Sequence, residues 1–316
     1  MSPAHPIPPA SCNATRVALD ELIGLAALAR GARLAQSRRS AAARSGAVRS
    51  RWRGRGMDFR ESRIYQAGDE IRHMDWRVTA RSGKPHTKLF EEEREQALLL
   101  VQDFNPSMRF GTRVRFKSVQ AARAAALLAW LAATTGDRVG LLGFGGGIGG
   151  ELRPAGGRPG VLKVLRQLRD WDAAADPSCQ QPLAQGLARL HGLLRPGMRV
   201  VLLSDGFSAD HDGLQRLGEI ARHHELAVVR LGDALEREAP PPGRYALHLG
   251  PLRGVLDFAD RATRTQWAQR FAALRAGLAD TCVKHGARLL ELDTHADLRT
   301  ALRPLLARGR AAGVVA

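Results

Sequence analysis

Residues 97–104 read ALLLVQDF, and residues 198–204 read MRVVLLS, followed directly by Asp205 and Gly206. Each stretch is a short, almost continuous apolar run that ends in an acidic residue. Such runs are typical of strands that are covered on both faces of a sheet, because a solvated face would bring in alternating polar residues. The two stretches therefore predict buried parallel strands with a carboxylate, Asp103 or Asp205, at the carboxyl end of each.

Strand and helix patterns alternate outward from these two runs. Further strands are predicted at 137–144, 226–231 and 287–292, with a short return strand at 151–154, and helices at 117–135, 160–171, 182–194, 214–224, 261–285 and 298–307. Such alternation predicts an α/β fold, with a mostly parallel open sheet covered by helices on both faces. A helix at 15–36 precedes these elements, and a small β-hairpin insert is expected near 240–259.

The charge of the chain is strongly positive, with 48 Lys and Arg residues against 31 Asp and Glu residues and a net charge of +17. Residues 30–60 hold ten arginines and a single acid, and we expect a solvated basic arm there. Three parts follow: a helix and Arg-rich arm (1–56), a charged and aromatic segment (57–96) and the sheet domain (97–316). The charge also predicts nonspecific attraction to nucleic acid, and a nucleic-acid-binding arm is the alternative function.

The composition argues against a membrane-spanning protein and against a secreted, disulfide-rich protein. No apolar stretch approaches the roughly 20 residues that a membrane-spanning helix needs. Residues 1–10 do not have the charged-then-apolar pattern of a signal peptide. The three cysteines, Cys12, Cys179 and Cys282, are far apart, which excludes a disulfide framework and favours the reducing cytoplasm.

The acids that end the two apolar strands define the candidate site. In parallel sheets, ligands bind beyond the carboxyl ends of the strands, where the strand order reverses. Asp103, Asn105 and Ser107 alternate along an extended segment and so point the same way, while Asp205 is expected from the neighbouring strand. Oxygen ligands of this kind suit Mg²⁺ or Mn²⁺. Without a metal, we expect Asp103 to hold its loop by accepting backbone N–H groups.

The sequence favours neither a dinucleotide-binding protein nor an enzyme. Gly145, Gly147 and Gly150 match a dinucleotide-binding pattern by letters, but a strand rather than a helix follows them, so we expect a hairpin turn. No motif pairs a nucleophile with a base, so we do not expect an enzyme. A metal-dependent hydrolase is the weaker third alternative.

The segment before the first apolar strand resembles a known family. Its signature positions are Arg63, Tyr65, Gly68, Asp69, Arg72, Asp75, Trp76 and Arg81. Followed by the acidic run 91–95 and then Asp103, they are similar to the pattern of domain-of-unknown-function family 58 (DUF58), and the resemblance extends from about residue 57 to the C-terminus. From the residues themselves, we expect the charged members to form a paired, architectural network around Tyr65 and Trp76.

The resemblance implies a von Willebrand factor A-like, Rossmann-like domain with a metal-ion-dependent adhesion site. The implied ligands of Mg²⁺ or Mn²⁺ are Asp103, Asn105, Ser107, Gln181 and Asp205; the family pattern has serine at position 105 and threonine at position 181. The family's association with MoxR-type AAA+ ATPases implies a non-catalytic adaptor. In that role, an acidic side chain of the partner would complete the coordination of the cation.

Overall fold

The structure is a computed structural model, and it describes residues 13–35, 57–66, 69, 71, 74–92, 96–249 and 252–307. Contacts divide the chain into two compact units. The smaller unit is Ser45–Glu95, and the larger combines Met1–Arg44 with Gln96–Ala316. Most of the predicted basic arm, including residues 36–56, lies outside the described residues.

The first described segment belongs to the larger unit. It contains α1 (Leu19–Gly24), α2 (Ala26–Ala29) and the two-residue strand β1 (Arg33–Leu34), which pairs with residues 306–307. The prediction of one helix over 15–36 is therefore wrong, because Gly31 turns the chain with a φ of 75° into that pairing. Leu22 and Leu25 are buried in the main core, so the boundary expected at residue 56 does not separate this segment from the sheet.

The smaller unit is a helix inserted between two antiparallel strands. It consists of β2 (Met57–Ile64), α3 (Trp76–Ser82) and β3 (His86–Glu92), with a bulge in β2 between Phe59 and Glu61. Asp75 caps α3 by accepting the Val78 N–H at 3.2 Å. Gly83 ends the helix with a left-handed φ of 69°.

The larger unit continues with the predicted alternation of strands and helices. In chain order its elements are β4 (Ala97–Asp103), α4 (Lys117–Thr134), β5 (Arg138–Phe144), β6 (Glu151–Ala155), α5 (Gly157–Ala174), α6 (Leu183–Ala188), β7 (Arg199–Ser204), α7 (His211–His223), β8 (Glu225–Gly232), α8 (Ala234–Arg237), β9 (Arg244–Leu249), β10 (Leu252–Asp257), α9 (Arg261–His285), β11 (Arg288–Asp293), α10 (Leu298–Leu302) and β12 (Leu306–Ala307). Short 3₁₀ turns lie at Pro106–Met108, Arg189–Gly192 and Arg303–Leu305. The antiparallel pair β9–β10 is the expected hairpin insert.

Six strands form the central sheet in the order β11-β8-β7-β4-β5-β6. All neighbours are parallel except β5 and the edge strand β6, which are antiparallel. Pro154 lies in β6, where an edge position tolerates a residue without an N–H donor. The predicted fold class, a mostly parallel α/β sheet flanked by helices, is confirmed. The order of strands reverses between β4 and β7, which therefore flank the switch point.

The core is divided between the two faces of this sheet. Leu98 and Leu100 of β4 belong to the cluster that contains α4 and α5, whereas Leu99 and Val101 belong to the cluster with α6, α7 and α9. This alternation explains why β4 is apolar from Ala97 to Val101. The complete burial of each leucine side chain stabilises the fold by roughly 1.5–3 kcal/mol relative to an exposed side chain. Among the residues described, no helix has both the length and the apolar character that crossing a bilayer requires.

Candidate functional site

Polar side chains line the carboxyl-terminal rim of four neighbouring strands. Asp103 ends β4, Asp205 follows β7, Asp233 follows β8 and Thr294 follows β11. Because β4 and β7 are adjacent and parallel, Asp103 and Asp205 meet at the same rim, as predicted. This polar rim lies at the switch point, the place where α/β sheets bind ligands.

Asp103 is completely buried and accepts four hydrogen bonds. The backbone N–H and the side-chain amide of Asn105 both donate to Oδ1 at 2.8 Å, and the hydroxyls of Ser204 and Ser208 donate to Oδ2 at 2.7 and 2.9 Å. This is the loop-holding role expected of Asp103 without a metal. Burial and the nearby charge of Asp205 raise the pKa of Asp103 to about 6, and these four bonds oppose the shift only in part.

Asn105 and Gln181 are joined to one another rather than left open. The Asn105 amide nitrogen donates to the Gln181 carbonyl at 3.0 Å, and the Gln181 N–H donates to Asn105 Oδ1 at 2.7 Å. Gln181 Oε1 in turn accepts the Gly145 N–H at 2.8 Å. The two amides that depart from the family pattern therefore tie the loop after β4 to the approach of α6.

The glycine turn between β5 and β6 fits closely against this pair. Gly145 has a φ of 79°, and a Cβ there would lie 2.6 Å from Asn105 Cγ, so only glycine suits the position. The turn closes an antiparallel pair of strands. The expected hairpin is therefore confirmed, and the geometry is not that of a dinucleotide-binding loop.

A buried lysine, which the sequence analysis did not identify, lies within the polar rim. Lys117 begins α4, and its Nζ is 2.7 Å from Asp205 Oδ2 and 2.5 Å from Glu236 Oε1. Its side chain is 1% exposed. Burial alone would lower the pKa of Lys117, but the two carboxylates raise it overall. Burial also raises the pKa of Glu236 against the effect of Lys117, yet the short contact fits the charged form of both groups.

Asp233 links the loops at the outer strands of the rim. Asp233 accepts hydrogen bonds from the backbone and hydroxyl of Thr112, from the Leu235 N–H and from the Thr294 hydroxyl. These bonds lower the pKa of Asp233 although burial opposes them. Glu236 Oε2 accepts the Asp233 N–H at 3.0 Å, which completes a capping box at α8. The loops after β4, β8 and β11 are therefore cross-linked around Lys117.

A small cavity opens beside Asp205 and Glu236. Its volume is about 20 Å³, which is room for roughly one water molecule. Three arginines contribute to its lining, namely Arg230, Arg237 and Arg275. Arg230 is paired with Glu291 and Arg237 with Asp293, and Asp205, Asp233 and Glu236 also line the cavity, so its positive charges are balanced by acids.

The arrangement does not fit a divalent cation. Of the five predicted ligands, only Ser107 has a buried oxygen without a hydrogen-bond partner in the described structure. Asp205 accepts the Phe207 N–H at 3.0 Å on Oδ1 and binds the Lys117 ammonium on Oδ2. A metal ion at this carboxylate would lie beside a positive charge. Within the described ranges, moreover, no group of three His, Cys, Asp or Glu side chains could hold a metal ion.

Among the described residues of the smaller unit, the signature positions form a more modest network than expected. Arg63 pairs with Asp69 at 2.7 Å, and Asp75 accepts the Ser62 hydroxyl at 2.8 Å besides capping α3. Trp76 is 66% exposed, so it is not the centre of the network; as the first residue of α3, it points to solvent. Gly68 and Arg72 lie outside the described residues. Tyr65 is half-buried, and Arg81 is exposed.

Several proteins are similar to this chain. An uncharacterized protein of Mycobacterium tuberculosis and one of Mycobacterium bovis are each 34% identical over 249 residues, which is 77% of this chain and 77% of theirs. The crystal structure of a conserved hypothetical protein, BatB from Bacteroides thetaiotaomicron, has a TM-score of 0.42 at 13% identity and covers 66% of this chain and 94% of its own.

A von Willebrand factor type A structure from Catenulispora acidiphila has a TM-score of 0.36 at 12% identity, over 70% of this chain and 42% of that one. The model of one family, described as a protein of unknown function, DUF58, matches residues 61–277. This match covers more than half of the sequence and contains the eight signature positions together with Asp103, Lys117, Asp205 and Asp233 of the polar rim. The chain therefore belongs to the DUF58 family.

Proposed function

We propose that this chain is a non-catalytic adaptor with a von Willebrand A-like domain, which acts in the cytoplasm by binding a MoxR-type AAA+ ATPase. The observation that carries the proposal is the convergence of Asp103 and Asp205 at the switch point of the sheet, on loops that are cross-linked by buried hydrogen bonds. Rigid loops at such a rim suit the binding of a partner.

The absence of a catalytic role is part of the proposal. A serine–histidine contact does occur, between Ser82 Oγ and His86 Nδ1 at 3.2 Å. However, both residues are on the surface of the smaller unit, and the same nitrogen lies 2.7 Å from the Lys84 carbonyl, to which it must donate. His86 Nδ1 is therefore not free to take a proton from Ser82, and the pair lacks the geometry of an activated nucleophile.

An acidic segment is the kind of partner surface that fits this chain. The net charge of +17 would accelerate association with an acidic protein. A bridging Mg²⁺ or Mn²⁺ stays a prediction of the family resemblance, and a chelator included in the binding assay tests it. The contact proposed here needs no metal.

Two matched variants on one helix test whether the partner binds at the polar rim. His211 and His223 are both exposed, at the first and last residues of α7, so the rim-side and distal positions are roughly 18 Å apart. We expect His211→Glu to weaken recovery of the cognate ATPase in a pull-down, because it adds a negative charge where an acidic partner binds. His223→Glu should leave recovery unchanged.

The outcome that would contradict the proposal is equal recovery of the ATPase by both variants and by the unmodified chain. Circular dichroism should first show that both variants are folded. Asp103→Ala is also expected to weaken recovery, but it leaves four buried donors unsatisfied, so reduced binding there has to be compared with its stability.

A further inference from the structure

A buried ammonium group contacts one of the acids to which the family resemblance assigns a divalent cation. Lys117 is 0% exposed, and its Nζ contacts Asp205, the acid expected to bind the metal from β7. We infer that Lys117 is the resident cation of the polar rim and takes the place of the metal ion. The inference concerns the site alone, so it stands or falls independently of the proposed adaptor function.

The groups around Lys117 bind its ammonium group through hydrogen bonds and a cation–π contact. The group has three N–H donors and no acceptor. Two donors are directed to Asp205 Oδ2 at 2.7 Å and Glu236 Oε1 at 2.5 Å. The ring of Phe207 lies 4.7 Å from Nζ, within the range of a cation–π interaction. The cluster therefore binds a compact cation on three sides without recruiting a ligand from solution.

The position also selects lysine over arginine. The chain uses arginine for 43 of its 48 basic residues, so the presence of a lysine here is unusual for its composition. A guanidinium is planar and presents a rigid fork, whereas an ammonium is a compact point charge that fits between two carboxylates from different elements. Lys117 reaches Asp205 after β7 and Glu236 in α8, and so it joins three segments of the rim.

The second carboxylate among the implied metal ligands, Asp103, has no need of a metal ion. Asp103 accepts its four bonds from neutral amide and hydroxyl groups. A metal ion bound to Asp205 would have to displace Lys117 or lie against it. Like charges at such short range repel strongly in a buried site. The unpartnered Ser107 hydroxyl alone is too weak a ligand set to offset this repulsion.

A metal titration of the full chain tests the inference. Isothermal calorimetry with MnCl₂, and thermal unfolding with millimolar Mn²⁺ or with chelator, should show no saturable binding and no shift in melting temperature. Saturable binding of Mn²⁺ by the unmodified chain that is lost in Asp205→Asn would overturn it.

Removal of the lysine supplies the second test. We expect Lys117→Met to lower the melting temperature, because Asp205 and Glu236 are left buried without a counter-charge. The combined change Lys117→Met with Glu236→Gln should recover part of the loss, and Lys163→Met, which alters an exposed lysine of α5, should be neutral. Full stability of Lys117→Met would also overturn the inference. If that variant does not fold, the titration of the unmodified chain still decides.

Discussion

Asp103 is a carboxyl group on which burial and hydrogen bonding act in opposite directions. Four donors favour its ionised form, yet complete burial beside Asp205 raises its pKa to about 6 from the ordinary 3.8. The folded chain therefore binds a proton at Asp103 more tightly than the unfolded chain does. The resulting stabilisation is complete below the unfolded pKa and is lost as the pH rises through about 6.

The pH dependence of stability should reveal this group. Between about pH 7.5 and about pH 5, we expect Asp103 to add roughly 1.4 kcal/mol to the free energy of unfolding. Asp103→Asn should remove this increment while the rotatable hydroxyls of Ser204 and Ser208 adapt to the amide. Urea unfolding at the two pH values, for both proteins, measures the difference. Equal pH dependence in the two proteins would refute the assignment.

Two cysteines should differ sharply in reactivity. Cys282 in α9 is buried, and burial raises the pKa of its thiol to about 11, whereas Cys179 is exposed in the loop before α6. Since the thiolate is the reactive form, iodoacetamide should label Cys179 in the folded protein and Cys282 only in denaturant. Peptide mass spectrometry after labelling distinguishes the two sites. Rapid labelling of Cys282 without denaturant would show that α9 does not stay packed.

The residues of the site differ in how well the sequence predicts them. Asp103 and Asp205 could be predicted because each directly follows an apolar strand, and the ends of parallel strands share a rim. Lys117 could not, because its partners lie 88 and 119 residues away in the chain. A lysine at the start of an alanine-rich helix, in a chain that prefers arginine, was the one available signal.

The contact between α6 and β5 depends on a residue without a side chain. A Cβ at Gly186 would lie 2.6 Å from the ring of Phe144, which is itself buried in β5. We therefore expect Gly186→Ala to lower the free energy of unfolding by about 1–3 kcal/mol through overpacking. Gly192→Ala, where nothing lies within 4 Å, is the matched control and should be neutral or slightly stabilising. Chemical denaturation compares the two, and equal stability would contradict the packing argument.

The β9–β10 hairpin is held to the rest of the unit by aromatic contacts. Phe258 is 1% exposed and packs edge-on against Tyr245 and Trp267, with ring centroids 5.6 and 5.2 Å away. Phe258→Ala should lower the free energy of unfolding by about 3–5 kcal/mol if it destabilises the whole unit. If the effect is local, the hairpin alone should unfold more often. Hydrogen exchange should then show faster exchange at 244–257 than in β4 and β7. Val255→Ala, at a position 56% exposed, should change neither the free energy of unfolding nor the exchange rates. Unchanged exchange at 244–257 in Phe258→Ala would contradict this anchoring role.

Elements with a continuous apolar pattern were predictable, whereas short elements stabilised by distant partners were not. The strands β4 and β7 match their apolar runs almost residue for residue. The periodic pattern over 15–36 suggested a single helix, but the chain uses those apolar residues in two short helices and β1, whose partner is β12 at the other end of the chain. Local periodicity contains no information about such a pairing.

At the scale of the whole molecule, the fold is the basis of the proposed adaptor function and the charge is the basis of the alternative function. The parallel sheet places the acids of the rim together, while ten arginines and one acid in residues 30–60 supply more than half of the net charge of +17. The basic residues at 30–60 were predicted to form an arm, which remains the basis of the alternative polyanion-binding function. Removal of residues 1–55 is a poor test of that function, because Val17, Leu22 and Leu25 would be lost from the core.

Substitution within the arm separates nonspecific charge from a dedicated nucleic-acid site. Serine in place of the seven arginines at 38, 39, 44, 49, 51, 53 and 55 lowers the net charge from +17 to +10 and leaves the packed segment 13–35 intact. We expect the unmodified chain to be retained on DNA at about 50 mM salt and released by about 200 mM, because counterion release weakens such binding steeply. The substituted chain should elute earlier, with a smaller dependence on salt. Retention of the unmodified chain above about 200 mM salt, lost on substitution, would instead favour a specific nucleic-acid function for the arm.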